Sequence, residues 1–420
     1  MNARNRIFQT ANLVPIVTSI VLAVSSPCFG QTVVKPRVLR VAVYPFVPEI
    51  AQIELKIEQD FEASHPGVRL EFVDLGDYYG GGLVTVLTAN PSKVDVVEVD
   101  TVFLQDLVDS NLIDPIPQEV LQPEGTYLPV ATRAAVINNK TFGVPHWVCG
   151  NFLFFRKDDR DADRLTRATK LGEIEQILGD PTTEEQGLLA DIRGKTTLGE
   201  LYLSCLLDEY GVPKEALAHL GNPSALDSAA VKTPNRIFSL CPGGLNHNSK
   251  YHSNGQFYSR QFAHRKARAK ISYSEDLYYV GDEFLHGVAS DEPGVGEPAK
   301  DDIQAIGAPL MDEEHKMLAW VDVLCLRRNL TGEKKKDALA FITTYSGADF
   351  NRAILTPAPG DVPRYLLPAR ASLYGDLAKA APLYPRLKEI IQDAVAITDS
   401  RLNQRLRDIG AELDKHVESP

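Results

Sequence analysis

TFGVPHWVCGNFLFFRKDD, residues 141–159, sets a single cysteine between a proline and a short apolar run. Phe152, Leu153, Phe154 and Phe155 are bounded by Gly150-Asn151 on one side and by Arg156-Lys157-Asp158-Asp159 on the other. An apolar run of this length between turn and charge signals predicts a buried strand. Val144-Pro145 predicts a turn ahead of it, so Cys149 is expected at a loop-to-strand junction, where a side chain faces a cleft. A lone cysteine is more often a buried, inert thiol, and only the rest of the chain decides between the two.

Working toward the amino terminus, residues 38–46 (VLRVAVYPF) read as a strand broken by Pro45. Ile50, Ile53, Ile57 and Phe61 then recur at helical spacing until His65-Pro66-Gly67 stops them. Residues 68–75 and 94–99 predict two more strands, and 101–108 a helix. That order is the signature of a parallel α/β lobe. In such sheets ligands bind beyond the carboxyl ends of the strands, which places Tyr44, Tyr78 and Asp100 on the rim of one cleft. Asp100 also suits the N-cap of the helix that begins at Thr101.

Toward the carboxyl terminus the pattern is helix-rich from about residue 160 to 265, with a helix over 198–207 around Tyr202 and Cys205. Residues 242–255 read as a loop, whose His247 and His252 lack the partners and spacing of a zinc site. Residues 256–270 form a basic helix candidate containing Tyr258, and a charge run of this kind predicts a solvated face. AKISY, residues 269–273, is a strand that ends in Tyr273 and empties into Ser274-Glu275-Asp276. LAWVDVLCL, residues 318–326, is an apolar strand holding one acid, Asp322, which must be paired, at a bulge, or facing a site. No repeat or low-complexity linker divides the chain, which favours two lobes joined by chain crossings.

At 420 residues, 44% hydrophobic and 24% charged, the chain can bury a large core. Residues 1–30 differ from the remainder: Arg4 and Arg6, an apolar stretch over 13–24, then small residues up to Gly30. This is the layout of a secretory signal peptide, too short to span a bilayer, so export after cleavage near Gly30 is expected, with no membrane association afterwards. Cys28 with Pro27 before it is a poor lipoprotein signal. Of the four remaining cysteines, Cys205 with Cys241 is the pair expected if a disulfide forms. Losing the two signal arginines and no acids takes the net charge from −12 to −14, which disfavours nucleic acid as a partner.

GVPHWVCGNFLFFRKDD, SYSED with the later Gly281-Asp282, WVDVLCL, YPFVP at 44–48 and YLLPAR together resemble the thiaminase I family of thiamine pyridinylases. The resemblance runs in order from Tyr44 to Arg370. It implies a two-lobed α/β fold like that of type II periplasmic solute-binding proteins, each lobe a mixed, mostly parallel sheet flanked by helices, with the site between them. It further implies that Cys149 attacks C6 of the thiamin pyrimidine and that Glu275 is the general base. Asp100 and Asp322 match acids that line the family's site, and Tyr44, Tyr78, Tyr258 and Tyr273 would flank the rings. An organic base or a thiol then takes the methylene from which the thiazole has left. No cofactor or metal is implied, and a monomer is expected. The family pattern has Tyr-Pro-Tyr where this chain has Tyr44-Pro45-Phe46, and residues 80–93 look longer than the family's.

The corresponding organisation is a leader over 1–30, a first lobe from 36–148 with about 318–420, and a second lobe over 149–317. The competing expectation is a non-catalytic binding protein that feeds thiamin or a related pyrimidine to a transporter, with Cys149 inert. An unrelated hydrolase has little support, since the chain holds no G-x-S-x-G, H-E-x-x-H or P-loop.

Overall fold

The computed structural model describes residues 35–89, 93–121, 126–179, 187–221, 223–241, 243, 256–286, 302–313 and 316–417. The expected leader, Cys28, His247 and His252 lie outside these residues. In chain order the main strands are β1 (Arg37–Ala42), β2 (Val68–Phe72), β3 (Val96–Asp100), β4 (Gly143–Gly150), β5 (Phe152–Arg156), β6 (Leu188–Ala190), β7 (Ala269–Ser272), β8 (Ile303–Gly307), β9 (Leu318–Arg327) and β10 (Leu367–Pro368). The helices that position the site are α1 (Ile50–Ser64), α2 (Lys195–Tyr210), α3 (Phe257–Ala263), α4 (Asp276–His286) and α5 (Leu402–Leu413).

The larger sheet runs β10-β4-β9-β3-β1-β2 and the smaller β8-β5-β7-β6. β1 lies parallel to β2 and β3, and α1 makes the crossover with Ile53, Ile57 and Phe61 buried at helical spacing. β9 is the central strand, antiparallel to β3 on one side and β4 on the other, with all its residues buried up to Arg327. Covered on both faces, it reads as an unbroken apolar run. This is a mixed α/β, two-lobed fold in which all the main strands belong to the one compact unit Pro36–Pro420.

Val144-Pro145 does not turn. The whole of GVPHWVCG is strand, because the ladder to β9 tolerates Pro145 at a bulge. Pairing jumps from Asp322 opposite Trp147 to Val323 opposite Pro145, which leaves His146 as the extra residue. Cys149 therefore sits near the end of β4, opposite Trp320, and belongs to the larger sheet, not to the lobe that a boundary at 148/149 would give it. The chain crosses to the smaller sheet over Asn151 and returns between Gly307 and Leu318.

The carboxyl-terminal segment is not confined to the first lobe, since α5 packs along α2. Their contact requires glycine on both helices: a Cβ on Gly199 would fall 2.1 Å from the Leu406 carbonyl oxygen, and one on Gly410 would fall 1.7 Å from that of Lys195. Backbone on backbone, the crossing fixes the first turns of α2, and residues 198–208 are buried all round. The basic run over 256–270 is likewise not a solvated face. Arg268 donates to Asp159 at 2.7 and 2.9 Å and to Asp161 at 2.8 Å, and the fully buried Lys270 is paired with Asp276. Cys205 and Cys241 are both buried and are not joined in a disulfide.

Candidate active site

Strand ends from both sheets open onto one cleft of about 810 Å³. The chain leaving β1 supplies Tyr44 and Phe46, β3 ends at Asp100, β4 brings Cys149, and β9 brings Trp320. From the other side, the segment between β7 and α4 supplies Tyr273 and Glu275, and the first turns of α2 supply Glu200. Arg193, Lys195 and Arg407 also reach its edge.

On the first-sheet wall the tyrosyl oxygens of Tyr44 and Tyr79 stand 3.0 Å apart, and the Tyr79 hydroxyl donates to Asp100 Oδ2 at 3.3 Å. Asp100 Oδ1 accepts the Val102 amide at 2.9 Å, so its role as a cap is real, with Val102 as the donor. Phe46, more than half exposed, stacks on Tyr79 with centroids 5.8 Å apart. Asp322 lies opposite Asp100 in the β9–β3 ladder, at the bulge, 4% exposed. Burial and the charge of its neighbour push its carboxyl well above the usual range, and burial raises Asp100 too. On the opposite wall the Tyr273 hydroxyl donates to Glu200 Oε2 at 2.6 Å, and the Ser274 hydroxyl lies 3.4 Å from Glu275 Oε2. Burial pushes Glu275 up to about 7 and Glu200 up to about 8. The Cys149 thiol is pushed up by burial and further by the charges of Glu275, Asp322, Asp100 and Glu200.

Tyr44, Asp100, Cys149, Tyr273 and Glu275 thus share the cleft, with Asp322 against its floor beside Asp100. Tyr78 and Tyr258 do not line it. Tyr78 is 1% exposed and accepts the Asp100 amide at 2.7 Å, because Tyr78–Gly82 winds as a π-helical turn that presents the adjacent Tyr79 instead. Tyr258 is fully buried on the inner face of α3 with Phe262 and Ala263. Sequence reasoning passed over Glu200, although an acid inside LGELYLSCLL carries the same signal as the acid inside LAWVDVLCL. Tyr79, Trp320 and the cationic edge had no comparable signal. Among the described residues no group of His, Cys, Asp and Glu is arranged to hold a metal ion, and no helix is long and apolar enough to cross a membrane.

Residues 150–289 match the Thiaminase-1 domain. This stretch is similar to a thiaminase I domain. It begins one residue after Cys149 and holds Glu200, Tyr273 and Glu275. Over 361 residues, 84% of this chain and 81% of the relative, the sequence is 27% identical to Thiaminase-1 of Paenibacillus thiaminolyticus. The solved thiaminase I of Clostridium botulinum in complex with thiamin superposes with a TM-score of 0.73 at 22% identity, over 90% of this chain and 99% of that one. Maltose-bound MalE3 of T. maritima shares the fold at a TM-score of 0.63 and 15% identity, over 90% of this chain and 98% of that one. The fold is therefore that of thiaminase I and of sugar-binding solute-binding proteins, and the stretch matched by the domain supplies Glu200, Tyr273 and Glu275 to the cleft.

Proposed function

We propose that this chain degrades thiamin by base exchange, with Cys149 as nucleophile and Glu275 as general base. The observation that supports the reading is that the Cys149 thiol and the Glu275 carboxyl line one cleft, the thiol on the larger sheet and the carboxyl inside the stretch that matches the Thiaminase-1 domain. The thiaminase I relative, matched over most of both chains, supports a thiamin-degrading role.

The electrostatics suit a reaction switched on by its own substrate. In the empty cleft burial, reinforced by the surrounding acids, holds Cys149 protonated, and a thiol is a poor nucleophile. Thiamin brings a thiazolium cation, which offsets those charges and lowers the cost of forming the thiolate. Glu275, raised to about 7 by burial, takes the thiol proton at neutral pH. The thiolate bonds to C6 of the pyrimidine, and the ring's electron pair then expels the neutral thiazole from the methylene. An organic base or a thiol adds to that methylene, and the C6–S bond breaks with its pair returning to Cys149. Asp100 and Asp322 hold the amino group or face the cation, and Tyr44, Phe46, Tyr79, Tyr273 and Trp320 flank the rings. The chain acts as an exported monomer once residues 1–30 are removed, a reading that rests on the sequence of that segment.

The test is mass spectrometry of the purified protein incubated with thiamin and an aromatic amine. Free thiazole and the aminomethylpyrimidine product are expected. Thiamin that binds but is never consumed would make the chain a carrier and Cys149 an inert thiol.

A further inference from the structure

Base exchange leaves a proton to be placed, and the cleft offers one group to receive it. When a nucleophile R–XH adds to the methylene, the lone pair of X forms the new bond and the exocyclic double-bond pair returns to the ring. The C6–S bond then breaks with its pair on Cys149 Sγ. Glu275 returns to that thiolate the proton it took at the start. The proton on X has no place in this cycle and needs a second acceptor.

Besides Glu275 and Glu200, four carboxyls reach the cleft or its floor, Asp77, Asp100, Asp276 and Asp322, and each is already committed. Asp77 is exposed and accepts the Gly80 amide at 2.9 Å. Asp100 has one oxygen on the Val102 amide and the other on the Tyr79 hydroxyl, with Asp322 directly opposite. Asp276 is tied to the fully buried ammonium of Lys270. Glu200 is different. It is 5% exposed, sits on α2 where the glycine-mediated crossing with α5 fixes the backbone, and lines the cleft. Its Oε2 accepts the Tyr273 hydroxyl at 2.6 Å, and among the described residues Oε1 accepts no hydrogen bond.

We propose that Glu200 is the base for the second half of the exchange, taking the proton of the incoming nucleophile through Oε1 while Tyr273 holds Oε2. The proposal rests on the base-exchange reading above. Glu200 receives the proton from X as the new bond forms and releases it to solvent once product leaves, so that one proton is set free per turnover. Burial raises its carboxyl, which makes it the stronger base of the wall once ionised. The design predicts two classes of acceptor. Thiols and primary amines, which shed a proton, depend on Glu200. Pyridine, which adds through its ring nitrogen and ends as a pyridinium, has no proton to give.

The experiment measures turnover of thiamin with saturating aniline and with saturating pyridine, in wild type and in Glu200→Gln, and records separately the single-turnover release of thiazole. Wild type is expected to use both. In Glu200→Gln the ratio of aniline to pyridine turnover is expected to fall by about 100-fold, the scale of a lost general base. An unchanged ratio overturns the proposal, as does an equal loss of single-turnover thiazole release with both acceptors, because Glu200 would then serve the first half or the fold. Should Glu200→Gln not fold, Glu200→Asp, which keeps the charge but withdraws the oxygens by one methylene, must lower the same ratio by at least about tenfold. Wild type that releases no thiazole from thiamin at all refutes the base-exchange reading itself, a result separable from the other outcomes.

Discussion

Glu98 and Asp100 stand two residues apart on one face of β3, both almost wholly buried, and their surroundings are opposite. Glu98 is met on both oxygens: His146 Nδ1 lies 2.5 Å from Oε1, and the Tyr44 amide donates to Oε2 at 2.9 Å. Asp100 faces a second acid, Asp322, directly across the ladder. The bulge in β4 that makes room for Pro145 also produces His146 as the extra residue, which supplies the partner for Glu98. An acid given its own partner holds the strand end and Tyr44 in place. An acid set against another acid is unfavourable in the empty protein and favours a cation brought from outside.

The largest effect is expected at the thiol. Cys149→Ser should lower thiamin exchange by at least about three orders of magnitude while thiamin still binds, because the serine hydroxyl is a far weaker acid and nucleophile. Equilibrium binding beside an exchange assay separates the two quantities. Glu275→Gln should slow turnover by about two to four orders of magnitude with binding retained. Near-normal turnover in that variant would move the base to another carboxyl.

Smaller effects sharpen the contrast on β3. Asp100→Asn should weaken thiamin binding by about 10-fold to 100-fold, the scale of one charge-assisted contact, and should raise the melting temperature of the empty protein by relieving Asp322. His146→Ala should do the reverse to the fold, costing about 1–3 kcal/mol by leaving Glu98 buried without its partner. If both variants shift the melting temperature in the same direction, the two acids are not the opposites described here.

The pH dependence has a defined sign. Glu200 and Glu275 hold their protons more tightly in the folded chain than at the ordinary value of 4.5, up to about 8 and about 7. Below pH about 4.5 both states are protonated and nothing is lost. As pH rises from there toward about 8, the unfolded chain ionises first and the empty fold loses stability. Melting curves of wild type and of the Glu200→Gln, Glu275→Gln double variant from pH 5 to 8 should converge at the acid end and separate at the other, the variant being the more stable. Curves that stay parallel would mean that these carboxyls are not held protonated.

Much of this was legible in the sequence because it follows from strand ends. Tyr44, Asp100, Tyr273 and Glu275 each come just after or at the end of a run whose period and bounding residues mark a strand, and Asp322 betrays itself as an acid in an apolar run. What escaped depends on partners or local windings that periodicity does not encode. Val144-Pro145 reads as a turn unless the bulge opposite Asp322 is known. Arg268 and Lys270 read as solvated, because Arg268 finds its acids at Asp159 and Asp161, more than 100 positions away. Tyr78 and Tyr79 exchange roles through a single π-helical turn. Glu200 carries the same signal as Asp322, an acid in an apolar run, but its helix is buried on all sides, so helical spacing gives no single face on which to place it.

The central claim is that Cys149 carries the pyrimidine. The direct measurement is peptide mass mapping of protein mixed with saturating thiamin, with no added nucleophile, and quenched in acid during the first turnover. The peptide containing Cys149 should carry the mass of the pyrimidinylmethyl group in near-equal amount to the thiazole released, and the peptides containing Cys205, Cys241 and Cys325 should not. Thiazole released while the Cys149 peptide stays unmodified would contradict the account.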